Sequence, residues 1–160
     1  MTIIIAVAVA LGIALLLFFR PRANPTHSAT AADVPTIVAK LATLKDGSFA
    51  VFMFDSPLSS GGDAVNLQYS VEQGAVGLDW VLLGQTNISD KEKISAFASQ
   101  RGHPMTERVM NDVHYLRTEG RDLDKLGTSI IVEYYGIPRD AKLDLITEGF
   151  EWPLKDLTNR

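Results

Sequence analysis

The sequence predicts an α+β fold: a single N-terminal transmembrane helix, then a ferredoxin-like (βαββαβ) sandwich extended by an N-terminal helix and two strands. Three observations carry this. Ile3 through Phe19 is 17 consecutive residues without a polar side chain. Val65–Glu72 alternates apolar and polar residues strictly, the mark of a strand with two unlike faces. From Ala75 onward, the hydrophobic period switches in the order strand, helix, strand, strand, helix, strand.

The apolar run spans about 25 Å at the helical rise of about 1.5 Å per residue, near the thickness of a hydrocarbon core. No Lys or Arg precedes it, so a cleaved signal peptide is disfavoured. Arg20 and Arg22 follow directly, and the positive-inside rule then places the N-terminus outside and the C-terminal domain in the cytoplasm. The expected organisation is a 1–19 anchor contacting membrane lipid through Ile3 to Phe19, a flexible tether over 20–34, and a soluble domain over 35–160. The tether is inferred from its Pro, Ala, Thr and Ser content.

Within the domain, Asp33 or Thr36 caps a helix near Pro35, carrying Ile37, Val38, Leu41 and Leu44 inward and ending at Gly47. Ser48–Asp55 is apolar on both faces and reads as a central strand. Turn chemistry fills 56–63. Val65–Glu72 and Ala75–Leu83 form a hairpin about Gln73-Gly74. Ser89 and Glu92 form a capping box for a helix with Ile94, Phe97 and Ala98 on its core stripe and Gly102 at its end. Met105–Met110 and Val113–Thr118 read as strands about an Asn111-Asp112 turn. Asp122 starts a helix with Leu123, Leu126, Ile130 and Tyr134 facing the core. A last strand holds Leu143, Leu145 and Ile146, and the tail with Phe150 and Trp152 packs back on the domain.

Composition narrows function. The chain has no cysteine, which excludes disulfides, thiolate metal sites and a cysteine nucleophile. Net charge is −4; without Arg20 and Arg22, 13 basic residues face 19 acidic ones. Such a domain repels phosphate backbones, and no nucleic-acid partner is expected. The three histidines show no zinc spacing. The 56–63 loop lacks the lysine of a phosphate-binding loop, and Ser59 and Ser60 lack a nucleophile context. No catalytic, cofactor or metal residue is assigned.

Two groupings point to recognition. Gln68, Ser70, Glu72, Gly77 and Asp79 share one sheet face, and the hairpin alternation turns that face toward water. Glu148, Glu151 and Trp152 form an acidic–aromatic patch. The interaction surface expected from these is Gln68, Ser70, Asp79, Trp152 and Glu148. The functional expectation is therefore a membrane-anchored binding or regulatory module with a protein partner. One alternative is a membrane-proximal hydrolase using His114 with Asp79, Asp112 or Glu119. The other is a structural accessory subunit of a membrane complex.

Overall fold

A computed structural model describes residues 27–155. The strands are β1 (His27–Ala29), β2 (Phe49–Phe54), β3 (Val65–Glu72), β4 (Ala75–Val81), β5 (Thr106–Met110), β6 (Val113–Glu119) and β7 (Leu143–Glu148). The α-helices are α1 (Val34–Leu41), α2 (Gln85–Ser89), α3 (Lys91–Gln100) and α4 (Leu123–Ser129), the last continuing into a π-helical turn, Ile130–Tyr134. The strands form one antiparallel sheet in the order β1-β7-β2-β3-β4-β6-β5.

This order corrects the ferredoxin-like expectation. In that fold the last strand pairs with the first, here β7 with β4. Instead, β3 and β2 stand between them. Two pairings produce this. The two-residue turn Gln73-Gly74 puts β3 on one edge of β4, with Val71 opposite Val76. β2, apolar on both faces as an interior strand is, pairs with β3 on one edge and β7 on the other. The hairpin and its preceding strand therefore widen the middle of the sheet. The β4-α3-β5-β6 portion does keep the split order, with β6 between β4 and β5.

Helices α1, α3 and α4 and the π turn contribute their core residues to one face. Ala50, Phe52, Leu67, Tyr69, Leu78, Trp80 and Leu116 meet Ile37, Leu41, Ile94, Leu126 and Ile130 in the main core. The side chains of the opposite face group separately: Phe49, Val51, Met53 and Ile146 at one end, and Val81, Leu83, Met110, Val113 and Tyr115 at the other. Among the described residues, both groups consist of strand residues and their immediate flanks.

Several boundaries differ from expectation, each for a local reason. The stretch read as tether supplies β1 from His27 onward, paired with β7. Thr30 caps the turn that leads into α1, its amide and hydroxyl both donating to Asp33 Oδ2 at 2.8 and 2.9 Å. Asp90, not Ser89, stands at the start of α3; Ser89 ends α2 and accepts from Gln85 Nε2 at 3.1 Å. The π turn changes which tyrosine points inward. The Tyr135 amide donates to the Ile130 carbonyl at 3.1 Å, a five-residue step, and Tyr135 is buried where a helical step would have buried Tyr134.

The membrane localisation also needs correction. Among the described residues no helix is long and apolar enough to cross a membrane, so the single-pass, membrane-anchored assignment has no support. The proposed anchor, 1–19, and the first part of the proposed tether, 20–26, lie outside the described residues.

Candidate binding face

Arg117 organises the sheet face opposite the helices. It sits on β6 directly across from Asp79 on β4, which is itself across from Gln68 on β3. The Arg117 Nη1 reaches Asp79 Oδ1 at 2.7 Å, donates to Ser70 Oγ at 2.8 Å and lies 3.4 Å from Glu72 Oε1. Its Nε donates to Glu119 Oε1 at 2.6 Å and its Nη2 to the Ala75 carbonyl at 3.2 Å. The side chains of Arg117 and Asp79 are both fully buried.

A second row completes the network. Ser70 Oγ and Gln68 Nε2 donate to Asp79 Oδ2. Arg108 on β5 pairs with Glu72 at 3.2 Å and Glu119 at 3.5 Å, and the Tyr115 hydroxyl donates to Glu72 at 3.4 Å. Three carboxylates thus share two guanidinium groups. Gln68 Oε1 is buried without a hydrogen-bond partner among the described residues.

The electrostatics follow from burial against pairing. Burial pushes the Asp79 carboxyl above its ordinary range, although Arg117 and Ser70 pull it down. Burial and the Asp79 charge raise Glu72 against the pull of Arg117 and Arg108. Glu119, less buried, is held below its usual value by the hydrogen bond from Arg117. Burial, then the charges of Glu72 and Asp79, raise the Tyr115 phenol to about 12. Burial opposes the Arg117 cation, yet Asp79, Glu119 and Glu72 hold it more firmly protonated than usual.

Of the expected interaction residues, the structure brings Gln68, Ser70 and Asp79 together on this face. It corrects their setting: the face reads as wet in the sequence, but Asp79 is 0 % and Arg117 2 % exposed. The alternation gave the right face and could not give its burial. Trp152 is elsewhere, buried against the main core with Nε1 donating to the Ser28 carbonyl at 3.2 Å. Glu148 is exposed at the end of β7. Sequence reasoning missed Arg117. Its place two residues before Glu119 on an alternating strand was the available signal.

Groups with catalytic potential are kept apart. His114 is exposed and lies 2.9 Å from Glu107. It alternates with Arg117 along β6, so it projects from the sheet face opposite that of Asp79 and Glu119. Asp112 sits in the β5–β6 turn with a positive φ of 63°. A second cluster does gather a serine and a lysine: Lys93 Nζ donates to Ser60 Oγ at 2.7 Å and lies 3.5 Å from Asp90 Oδ1, while the Tyr135 hydroxyl donates to Asp90 Oδ2 at 2.8 Å. Lys93 is 60 % exposed. Activation of a lysine as a base needs desolvation, so the cluster reads as a tie holding the 56–63 loop to α3. Among the described residues, no group of three His, Asp or Glu side chains is arranged to hold a metal ion.

Fold and site together define an antiparallel α+β domain with a helix-covered face and a second face carrying a buried charged network between two apolar groups. In comparisons with known proteins, no family model, no curated protein and no solved structure matches the chain.

Proposed function

We propose that this domain is a binding module that holds an apolar polypeptide segment against its second sheet face. One observation supports the reading above the others. Phe49, Val51, Asp79 and Arg117 are 0 to 2 % exposed, yet the described helices contribute their core residues to the other face. Large apolar side chains on a bare sheet face keep contact with water; these do not. The apolar groups at the two ends supply contact area, at roughly 25 cal/mol for each Å² removed from water. The charged network fixes the strand geometry beneath them. Its donors and acceptors are largely paired with one another, which suits recognition better than turnover.

The test places a photo-activatable benzoylphenylalanine at Met53, a half-buried residue at the margin of the Phe49–Val51–Ile146 group, in the full chain. Irradiation is expected to attach the probe to polypeptide, whereas the same probe at the exposed Ser99 on α3 gives no specific adduct. A Met53 probe that yields no polypeptide adduct overturns the proposal.

A further inference from the structure

We infer that the second sheet face binds a partner polypeptide through a segment that is apolar apart from one uncharged hydrogen-bond donor, a hydroxyl or amide N–H, seated on Gln68 Oε1. This rests on the binding reading above and adds the polar group that the partner brings.

Register sets the place of Gln68. One row of directly opposed residues crosses the face from β7 to β6: Ile146, Val51, Gln68, Asp79 and Arg117. Opposed residues of antiparallel strands share a face. Gln68 therefore stands at the seam between the Phe49–Val51–Ile146 group and the charged network. The group of Val81, Val113 and Tyr115 lies at the other end of the face. A segment that covers both groups with apolar side chains crosses Gln68 on the way.

The neighbours of Gln68 leave its carbonyl oxygen open. Gln68 Nε2 donates to Asp79 Oδ2 at 3.4 Å. That bond fixes the orientation of the amide, because the flipped amide would set Oε1 against a carboxylate, acceptor against acceptor. The nearby donors are engaged elsewhere. Ser70 Oγ donates to Asp79, and the Arg117 guanidinium is divided among Asp79, Ser70, Glu119 and the Ala75 carbonyl. Asn66 Nδ2 donates to the Leu83 carbonyl at 3.4 Å. Gln68 is 2 % exposed, and Oε1 has no partner among the described residues. A buried acceptor left unpaired is costly, so a donor that arrives with a partner gains more here than at a group already paired.

Charge decides the kind of donor. Beside Gln68 the buried charges balance, one carboxylate on Asp79 against one guanidinium on Arg117. Glu72 and Glu119 are shared with Arg108. A cationic donor would lose its water with no counter-charge of its own, and a carboxylate would oppose Oε1 directly. A hydroxyl or an amide N–H avoids both penalties.

The experiment uses the full chain and synthetic leucine–alanine peptides with lysine ends, identical except for a central alanine, serine, asparagine or glutamate. The serine and asparagine peptides are expected to bind about tenfold more tightly than the alanine peptide, the glutamate peptide most weakly. Gln68→Met is expected to bind the alanine peptide still and to lose the preference. Equal binding of all four peptides, or a preference that survives in Gln68→Met, overturns the inference and leaves the binding reading standing. Failure of every peptide to bind also overturns the inference, and the binding reading falls with it if the Met53 photoprobe gives no adduct. A second measurement needs no variant. In the natural chain labelled with ¹³C-glutamine, the Gln68 Cδ resonance is expected to move with the serine peptide and not with the alanine peptide. A resonance that both peptides leave in the same place overturns the inference. An adduct of the Met53 photoprobe to the chain itself or to a second copy overturns the assignment to a partner.

Discussion

The Arg117 guanidinium occupies the space where a side chain at position 77 would begin. A Cβ built on Gly77 would collide with Arg117 Cζ and both terminal nitrogens. Gly77 is therefore kept free of a side chain so that the cation can cross β4 and reach Asp79, Ser70 and the Ala75 carbonyl together. The residue across the ladder from Gly77 is Glu119, which accepts from the same guanidinium.

Gly77→Ala is expected to destabilise the protein by about 1–3 kcal/mol, because the methyl group displaces a buried, fully engaged cation. The cost should largely vanish where Arg117 has already been replaced by methionine. A double-mutant cycle by urea denaturation measures the coupling; purely additive effects would contradict the geometry.

Arg117→Met removes the cation from three carboxylates. At pH 7 the expected cost is about 3–5 kcal/mol, since Asp79 and Glu72 are left buried and uncompensated. The cost should shrink on acidification. Without the guanidinium, the folded-state pKa of Asp79, already raised by burial, rises further above its unfolded value. Such a group destabilises the fold once pH exceeds the unfolded pKa, near 3.8, and stops doing so below it. Stability of this variant relative to the natural protein should therefore recover as pH falls from 7 to 4. A difference that stays constant over that range counts against the ion-pair network.

Asn87 replaces missing backbone pairing where β3 and β4 diverge. Its Oδ1 accepts from the Asn66 amide at 3.1 Å, and its Nδ2 donates to the Asn66 and Val81 carbonyls at 2.8 and 2.9 Å. Asn87→Asp keeps the shape but sets a carboxylate against two carbonyls in a buried site. The expected loss is about 3 kcal/mol or more, exceeding that of Asn87→Ala. Thermal unfolding of the two variants decides the order.

Asp63 caps α2 from a distant loop, accepting from the Gln85 and Thr86 amides at 2.8 and 2.6 Å. Asp63→Ala is expected to cost about 1 kcal/mol and to loosen the 56–63 loop, seen as faster amide exchange at Gln85 and Thr86. The interactions with Thr86 hold the Asp63 carboxyl below its ordinary pKa. Its contribution is thus present above the unfolded value, near 3.8, and is lost as pH falls through the folded one.

Gly127 lets the Tyr69 hydroxyl pass beneath α4 to the Leu123 carbonyl, at 2.8 Å. Gly127→Ala should push the ring aside and lower stability by about 1–3 kcal/mol, although alanine is the better helix former. A variant as stable as the natural protein would show that the helix can shift to make room.

What could be read from residues alone tracks the range of the forces involved. The helix stripes of α1 and α3, the β3–β4 hairpin and the β5–β6 turn were legible because neighbours in sequence decide them. The double-sided apolar pattern of Phe49–Phe54 marked a central strand. Which neighbours that strand takes was not legible: its pairing with β3 and β7, which separates β7 from β4, is set by contacts between distant segments. The π turn was not legible, because one added residue in a helical step leaves composition unchanged.

The sequence by itself determined which residues share a face: alternation along β3 and β4 put Gln68, Ser70 and Asp79 together, and a strand period of two leaves no other choice. Only the tertiary structure decided what that face meets. Arg117 arrives from a strand 38 residues beyond Asp79, and no local pattern encodes such a pairing. Whether a polar strip is wet or buried depends on what is packed over it, and that is set by long-range contacts between segments far apart in the chain.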